Sequence, residues 1–363
     1  MTVLNTVPFE LLDQPLFFGN TQGIARYDRE KYPIFSKLRK LQKSLFWEPE
    51  EINLQKDSID FKSLQPHEKH IFTKNIAYQI LLDSIQERAP LHAFLPWVSH
   101  PELESCIITW CFFEQIHAES YQWILRNLFP DPAVIFDSIL TDSAIVERAQ
   151  SIIKYYDEFI SYSDKVKVYG YTKDLTLFEL KQRLYLALIS VYALESIRFY
   201  VSFACSFAFG KLGKMTGNAS IIKLIAKDEA QHVAISLNIL KTLKQSEDAD
   251  FKKIIAENEK IVYSIFDEVV QQEKDWATYL FKDGAIVGLN QGILCDYVEY
   301  TANKRLKGLG LKSQYSITND PLSWMSAYIN GDEVQVAPQE QEITEYRVNI
   351  ITNDLGDSEI VDF

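Results

Sequence analysis

Two stretches of the chain repeat one arrangement: Glu114 and His117 in EQIHAESY, and Glu229 and His232 in AKDEAQH. A three-residue interval puts the two side chains of each pair on the same helix face. The apolar run before each pair carries one lone acid, Asp83 in QILLDSIQ and Glu195 in VYALESIR. An unpaired buried carboxylate is strongly disfavoured, so burying these six groups separately would be costly. Gathered around two divalent cations, the same groups become ligands. Four carboxylates and two imidazoles suit iron or manganese better than thiophilic metals. One acid from each of two helices, with Glu-x-x-His from each of two others, is the donor pattern of carboxylate-bridged bundles.

A single Glu-x-x-His would carry little weight. Here the pattern occurs twice on apolar helices, with similar intervals from Asp83 to Glu114 and from Glu195 to Glu229, as two antiparallel helix pairs would give. The nearby HEKH at 67–70 has two residues between its histidines instead of three, so it lacks the shared face of a zincin motif. His67 and His70 are expected at the surface of a helix start. Tyr121 follows His117 by four residues, on the same face and ~6 Å further along the axis. It is either a redox partner of an oxidised metal pair or a core tyrosine whose hydroxyl bonds to Asp83 or a water.

The elements that must hold these residues are helices. Pro66 opens the run ending before Ala89-Pro90, and Pro101 opens the run to Pro130. Thr141-Asp142 leads into SAIVERAQSIIKYYDEFI, and LTLFELKQRLYLALISVYALESIRFYVSFACSFAF stops at Gly210. Asn218 is expected to cap the helix carrying Glu229. Asp248 or Asp250 caps a long helix reaching Phe281, and AIVGLNQGILCDYVEYTANKRLKG follows. Period-2 alternation is missing from the body, so few strands are expected. The two central helices are apolar nearly all round, which places them inside a bundle. The fold class is all-α.

Composition narrows the function. The formal net charge of −13 argues against nonspecific nucleic-acid binding, which needs clustered Lys and Arg. No window approaches 18 consecutive apolar residues, and the N-terminus lacks the basic start and apolar core of a secretory signal. Cys106, Cys111, Cys205 and Cys295 have no CxxC spacing, as expected for reduced thiols in a cytoplasmic protein. From Asp332 onward nine acids face one base, Arg347, so the tail contributes −8 of the −13. This divides the chain into a folded domain, 1–331, and a flexible acidic tail, 332–363.

With these residues in view, the chain resembles the small (beta) subunit of class I ribonucleotide reductase, in the branch typified by enterobacterial and T-even phage proteins. The resemblance runs through PLFFGNTQGIARYD, LFWEPEEI, FTKNIAYQILLDSIQERAP, PELES, EQIHAESY, YALESIRFYVSFACSFAF, GNASIIKLIAKDEAQH and VQVAPQE. It implies a ferritin-like helical bundle with a buried dinuclear site, and Asp83, Glu114, His117, Glu195, Glu229 and His232 as ligands. Two iron ions per chain are implied, with manganese or a mixed pair as alternatives. The family's stable radical would sit on Tyr121, shielded by Phe199, Phe203 and Ile225.

Trp47 and Asp228 match the family's long-range electron and proton path from His117; on composition alone they would be an anchor of the N-terminal arm and a helix-surface acid. Tyr346 matches the redox-active tyrosine between the subunits, and Glu340 a functional acid before it. The apolar C-terminus matches the segment that docks on the large (alpha) subunit, and a homodimer is implied. Phe113, Gln115, Ala118, Glu119, Gln122 and Trp123 depart from the usual string around the radical tyrosine, without removing a ligand or Tyr121. The alternatives are a stand-alone di-metal oxygenase and a ferritin-like iron protein. A ferritin has no use for Trp47 or for a tyrosine-bearing tail, and an oxygenase acting on a small apolar substrate should have an open pocket beside the metals.

The tail yields a first prediction. Deleting residues from Thr352 onward is expected to abolish affinity for the large subunit while leaving metal content unchanged. Tyr346→Phe should keep docking and lose turnover, because phenylalanine is far harder to oxidise. A binding titration and a ribonucleotide reduction assay separate the two roles, and normal turnover by Tyr346→Phe would remove Tyr346 from the relay.

Overall fold

The computed structural model describes residues 5–20 and 24–329. Among them, regular structure is helical apart from two isolated antiparallel bridges, Phe17 with Val98 and Ile286 with Leu289. The helices are α1 Pro33–Ser44, α2 Gln55–Ser63, α3 Pro66–Gln86, α4 Ala89–Ala93, α5 Pro101–Leu128, α6 Ala133–Ile139 and α7 Ser143–Tyr169. They continue as α8 Leu177–Ala193, α9 Phe199–Lys211, α10 Thr216–Gln245, α11 Ala249–Glu257, α12 Glu259–Leu280, α13 Gln291–Gly308 and α14 Ser326–Ile329. A π-helical segment, Leu194–Arg198, joins α8 to α9 without a break. The expected all-α class holds. The proposed tail, 332–363, with Glu340 and Tyr346, lies outside the described residues.

The helix starts follow local chemistry where the sequence supplies it. Proline occupies the first turn of α3 and α5, where a missing N–H costs nothing. Asp142 caps α7 and Asp248 caps α11 through their side-chain oxygens. Two expectations need correction. Asn218 does not cap α10, which begins two residues earlier, after Met215 in the left-handed region at φ 49°. The cap comes from α2 instead: Asp57 accepts from the N–H groups of Gly217 at 2.9 Å and Asn218 at 2.6 Å. Gly217 permits this approach, since a Cβ there would lie 2.8 Å from the Asn53 carbonyl oxygen. The long helix after Asp248 is divided at Asn258, whose amide donates to the Ile254 carbonyl and accepts from Gln182. A side chain that competes for backbone carbonyls in this way interrupts the ladder.

The core wraps the segments that carry the predicted donors. α5 packs against α1 and α3, while α10 packs against α9, α8 and α5. The run Leu177–Lys211 is long and apolar enough, by length and composition, to cross a membrane, yet 94% of its most apolar window is buried in the bundle. Its all-round apolar character therefore reflects a helix surrounded by others. Trp47, Trp110 and Trp276 are among the largest side chains wholly enclosed. The histidines of HEKH are half-buried instead of surface residues: His70 Nε2 lies 3.2 Å from the Tyr279 carbonyl oxygen, and His67 packs against Gly284.

Candidate metal centre

Four segments meet at the centre of the bundle. α3 brings Asp83, α5 brings Glu114, His117 and Tyr121, the π segment brings Glu195, and α10 brings Asp228, Glu229 and His232. Asp83, Glu114, His117, Glu195, Glu229 and His232 are all fully buried. Their donor atoms form two groups of four: Asp83, Glu114, His117 and Glu229 in one, Glu114, Glu195, Glu229 and His232 in the other. Within each group the atoms lie within 4.8 Å of one another. Glu114 and Glu229 belong to both groups, so each can lend one oxygen to either side, as a bridging carboxylate does. Both imidazoles turn Nδ1 inward, His117 to 3.4 Å from Glu114 and 3.3 Å from Glu229, His232 to 3.0 Å from Glu114 and 3.1 Å from Glu229.

The donors fit a metal pair on the strength of their unmet polarity. Both oxygens of Asp83, Glu114 Oε2, Glu195 Oε2, Glu229 Oε1 and His117 Nδ1 make no hydrogen bond. Buried polar atoms nearly always find partners, so a convergent set of orphans calls for a ligand. The electrostatics agree. Burial, then the charge of Glu114, holds the Asp83 carboxyl well above its ordinary range. Burial, then Glu195 and Glu114, does the same to Glu229. Burial lifts Glu195 to about 7. Glu114 moves down, because His232 and His117 outweigh the effect of burial. Burial opposes a charge on His117, but the neighbouring Asp228 and Glu114 carboxylates prevail and raise it to about 10. Without cations the cluster therefore keeps protons, which divalent ions would displace.

Around these donors lies a second layer, part of which sequence reasoning missed. Gln86 donates to Glu195 Oε1 and accepts from the Tyr156 hydroxyl at 3.0 Å. Trp110 Nε1 donates to Glu114 Oε1 at 2.8 Å. Gln86 and Trp110 stand one turn from Asp83 and Glu114 respectively, and that spacing is the signal that could have found them. Trp47 and Asp228, suggested by resemblance, do meet the cluster. Trp47 Nε1 donates to Asp228 Oδ2 at 2.8 Å, and His117 Nε2 lies 3.1 Å from the same oxygen. The rings of Trp47 and His117 stack 6.4 Å apart at 26°.

Tyr121 is fully buried, and its hydroxyl makes no hydrogen bond. Burial, then the charge of Asp83, pushes the phenol far above its usual range. Phe199, Phe203 and Ile225 are also wholly enclosed, with Phe199 stacked on Phe203 at 6.0 Å.

Comparison with known proteins gives a consistent result. A family model described as the ribonucleotide reductase small chain matches residues 26–321. Ribonucleoside-diphosphate reductase 1 subunit beta of Escherichia coli O157:H7 is 46% identical, over 100% of this chain and 99% of that protein. The ribonucleoside-diphosphate reductase subunit beta of enterobacteria phage T4 is 42% identical, over 100% of this chain and 98% of its own. Among solved structures, the ribonucleotide reductase R2 subunit from Clostridium botulinum superposes with a TM-score of 0.75 at 26% identity, covering 91% of this chain and 98% of that one.

A pH prediction follows from the raised acids. The folded, metal-free protein keeps a proton on Glu195 up to about pH 7, whereas the unfolded chain loses it near the ordinary glutamate value of 4.5. Stability associated with that proton is fully present below the lower value and is lost as pH rises through the higher one. Glu195→Gln removes the titration while keeping the volume. In the presence of a chelator, thermal unfolding should show the variant gaining on wild type between about pH 5 and 8, by an amount on the order of a few kcal/mol. A gap that is the same at both ends of this range would contradict the shift.

Proposed function

The chain belongs to the ribonucleotide reductase small-chain family, and we propose that it stores an oxidising equivalent with which a separate large subunit reduces ribonucleoside diphosphates. The substrate class is taken from the names of the E. coli and phage T4 relatives. The observation that carries the reading is the joining of two features: a buried six-donor cluster, and a hydrogen-bonded path leading out of it through His117, Asp228 and Trp47. A storage protein needs the first and has no use for the second.

In this reading Asp83, Glu114, His117, Glu195, Glu229 and His232 hold two iron ions, with manganese or a mixed pair as the alternatives. When bound, the metals supply a strong oxidant generated from dioxygen or a reduced oxygen species. Tyr121 is the residue oxidised. Its phenol is protonated at neutral pH, all the more so for being buried beside Asp83, so loss of the electron must be accompanied by loss of the proton. The enclosed Phe199, Phe203 and Ile225 keep solvent and reductants away from the product. Asp228 then links two donors through one oxygen, aligning Trp47 with the imidazole of His117. Tyr346 and the C-terminal tail would continue the path to the large subunit, with Glu340 assisting.

A homodimer is supported by an exposed apolar patch on α5 and the stretch just after α1, where Phe46 and Phe112 stack at 6.2 Å beside exposed Ile108. Free thiols at Cys106, Cys111, Cys205 and Cys295 support a reducing, cytoplasmic location. The domain division at residue 331 belongs to the same proposal.

Two experiments test the core of the reading. Elemental analysis of purified protein should give up to two iron or manganese ions per chain, with at least one lost in Glu114→Ala and in Glu229→Ala. Full occupancy in both variants would refute the ligand set. Separately, oxidised wild type should show an organic radical by electron paramagnetic resonance, and should support reduction of a ribonucleoside diphosphate only with the large subunit added. Tyr121→Phe should keep fold and metals while losing both the signal and turnover. Retention of both by the variant would place the stored oxidant elsewhere.

A further inference from the structure

Of the six donors, Glu195 alone stands on irregular backbone. The π segment Leu194–Arg198 interrupts an otherwise continuous helix, and such single-turn widenings are uncommon and concentrate at functional sites. A wide turn must be held from outside, since its hydrogen-bond ladder is out of step with the helices on either side. Two arginines hold it here. Arg305 Nε donates to the Ser196 carbonyl at 3.1 Å, catching a backbone acceptor in the middle of the segment. Arg198, its last residue, is fully buried and spreads its fork across α12, α7 and α3. Nη1 donates to Glu273 Oε1 at 2.8 Å and to the Tyr78 hydroxyl at 3.2 Å, while Nη2 donates to Gln272 at 2.6 Å and Ser151 at 2.9 Å. Tyr78 in turn donates to the same Glu273 oxygen at 2.6 Å. None of these partners belongs to the donor cluster.

We propose that Arg198 is a positioning residue for Glu195: by fixing the π segment against Glu273, it sets the cation affinity of the donor group containing Glu195 and leaves the other group alone. The segment is clamped at its end by Arg198 and near its middle by Arg305. The carboxylate then needs only the Gln86 amide to fix one oxygen, which leaves Oε2 free for a cation. The selectivity follows from membership. Glu195 appears with Glu114, Glu229 and His232 and is missing from the group of Asp83, Glu114, His117 and Glu229. A displaced Glu195 therefore costs one group a quarter of its donors and the other group none.

This inference rests on the ligand assignment proposed above, and the experiment keeps the two apart. Metal-free protein is titrated with Mn(II), following bound ions per chain and the electron paramagnetic resonance line shape, in which a coupled pair differs from an isolated ion. Wild type binding two ions, and Glu195→Ala binding one, establish the ligand reading; any other outcome for these two sinks that reading first.

The test of Arg198 is R198M/E273L, which removes both partners of the buried pair together. It should bind the first ion as wild type does, bind the second at least tenfold more weakly, and replace the coupled signal with that of an isolated ion. Arg198→Lys, which keeps the charge without the fork, should fall in between. Two ions at wild-type affinity in the folded variant would overturn the proposal, as would equal weakening of both. Should the double variant fail to fold, Arg198→Lys carries the test alone. It should weaken the second ion severalfold, and a second ion at wild-type affinity in that folded variant overturns the proposal.

Discussion

Four carboxylates buried together inside one bundle repel one another and resist desolvation, and the rest of the molecule is arranged around that conflict. Asp83, Glu195 and Glu229 are driven toward their protonated forms, whereas Glu114, facing both imidazoles, is driven the other way. A core of this kind is poor for stability in isolation, because each unpaired acid opposes burial. It is good for binding divalent cations, since the price of desolvation has been met by the fold before the ion arrives. The apolar bulk of α8, α9 and α10 provides that stability. Fully burying each large side chain contributes roughly 1.5–3 kcal/mol, and dozens are enclosed.

The surrounding polar layer distributes tasks among the donors. Trp110 holds one oxygen of Glu114, and Gln86 holds one oxygen of Glu195, itself oriented by Tyr156. In each case one oxygen is tied and the other is left without a partner. That division converts a freely rotating carboxylate into a directed ligand. Asp83 differs: neither of its oxygens is tied, and Tyr121 stands beside it with an unbonded hydroxyl. The least restrained donor is thus the one next to the residue proposed to be oxidised.

Much of this was legible in the chain, for reasons that differ from residue to residue. The donors could be read because a charged residue in an apolar helix is conspicuous, and because i, i+3 spacing fixes a shared face. The caps at Asp142 and Asp248 could be read because they act within their own helix. Asn218 misled because the acceptor that caps α10 is Asp57, 161 residues away in the chain from Asn218, and no local pattern announces it. The π segment is invisible for a similar reason: LESIR is ordinary helical sequence, and the wide turn depends on Arg305, far along the chain, and on Glu273. Trp47 shows the limit of periodicity most clearly. A lone tryptophan in a connecting stretch has no face to predict, so its bond to Asp228 became expected only through family resemblance.

The duplicated donor motif makes the centre nearly symmetric, and the departure from symmetry gives the proposed path its direction. His117 and His232 occupy equivalent places in the two Glu-x-x-His repeats, and both turn Nδ1 toward the shared carboxylates. Their outer nitrogens have different fates. His117 Nε2 meets Asp228, which meets Trp47, whereas His232 Nε2 is buried without a partner beside the ring of Trp110. Among the described residues, only the first imidazole meets a chain of hydrogen-bonded side chains leading away from the cluster. Electron transfer that must move a proton with it is confined to a route where donors and acceptors are continuous. The same helix pair that duplicates the ligands thus offers two exits in principle, and Asp228, one residue before Glu229 on α10, opens one of them.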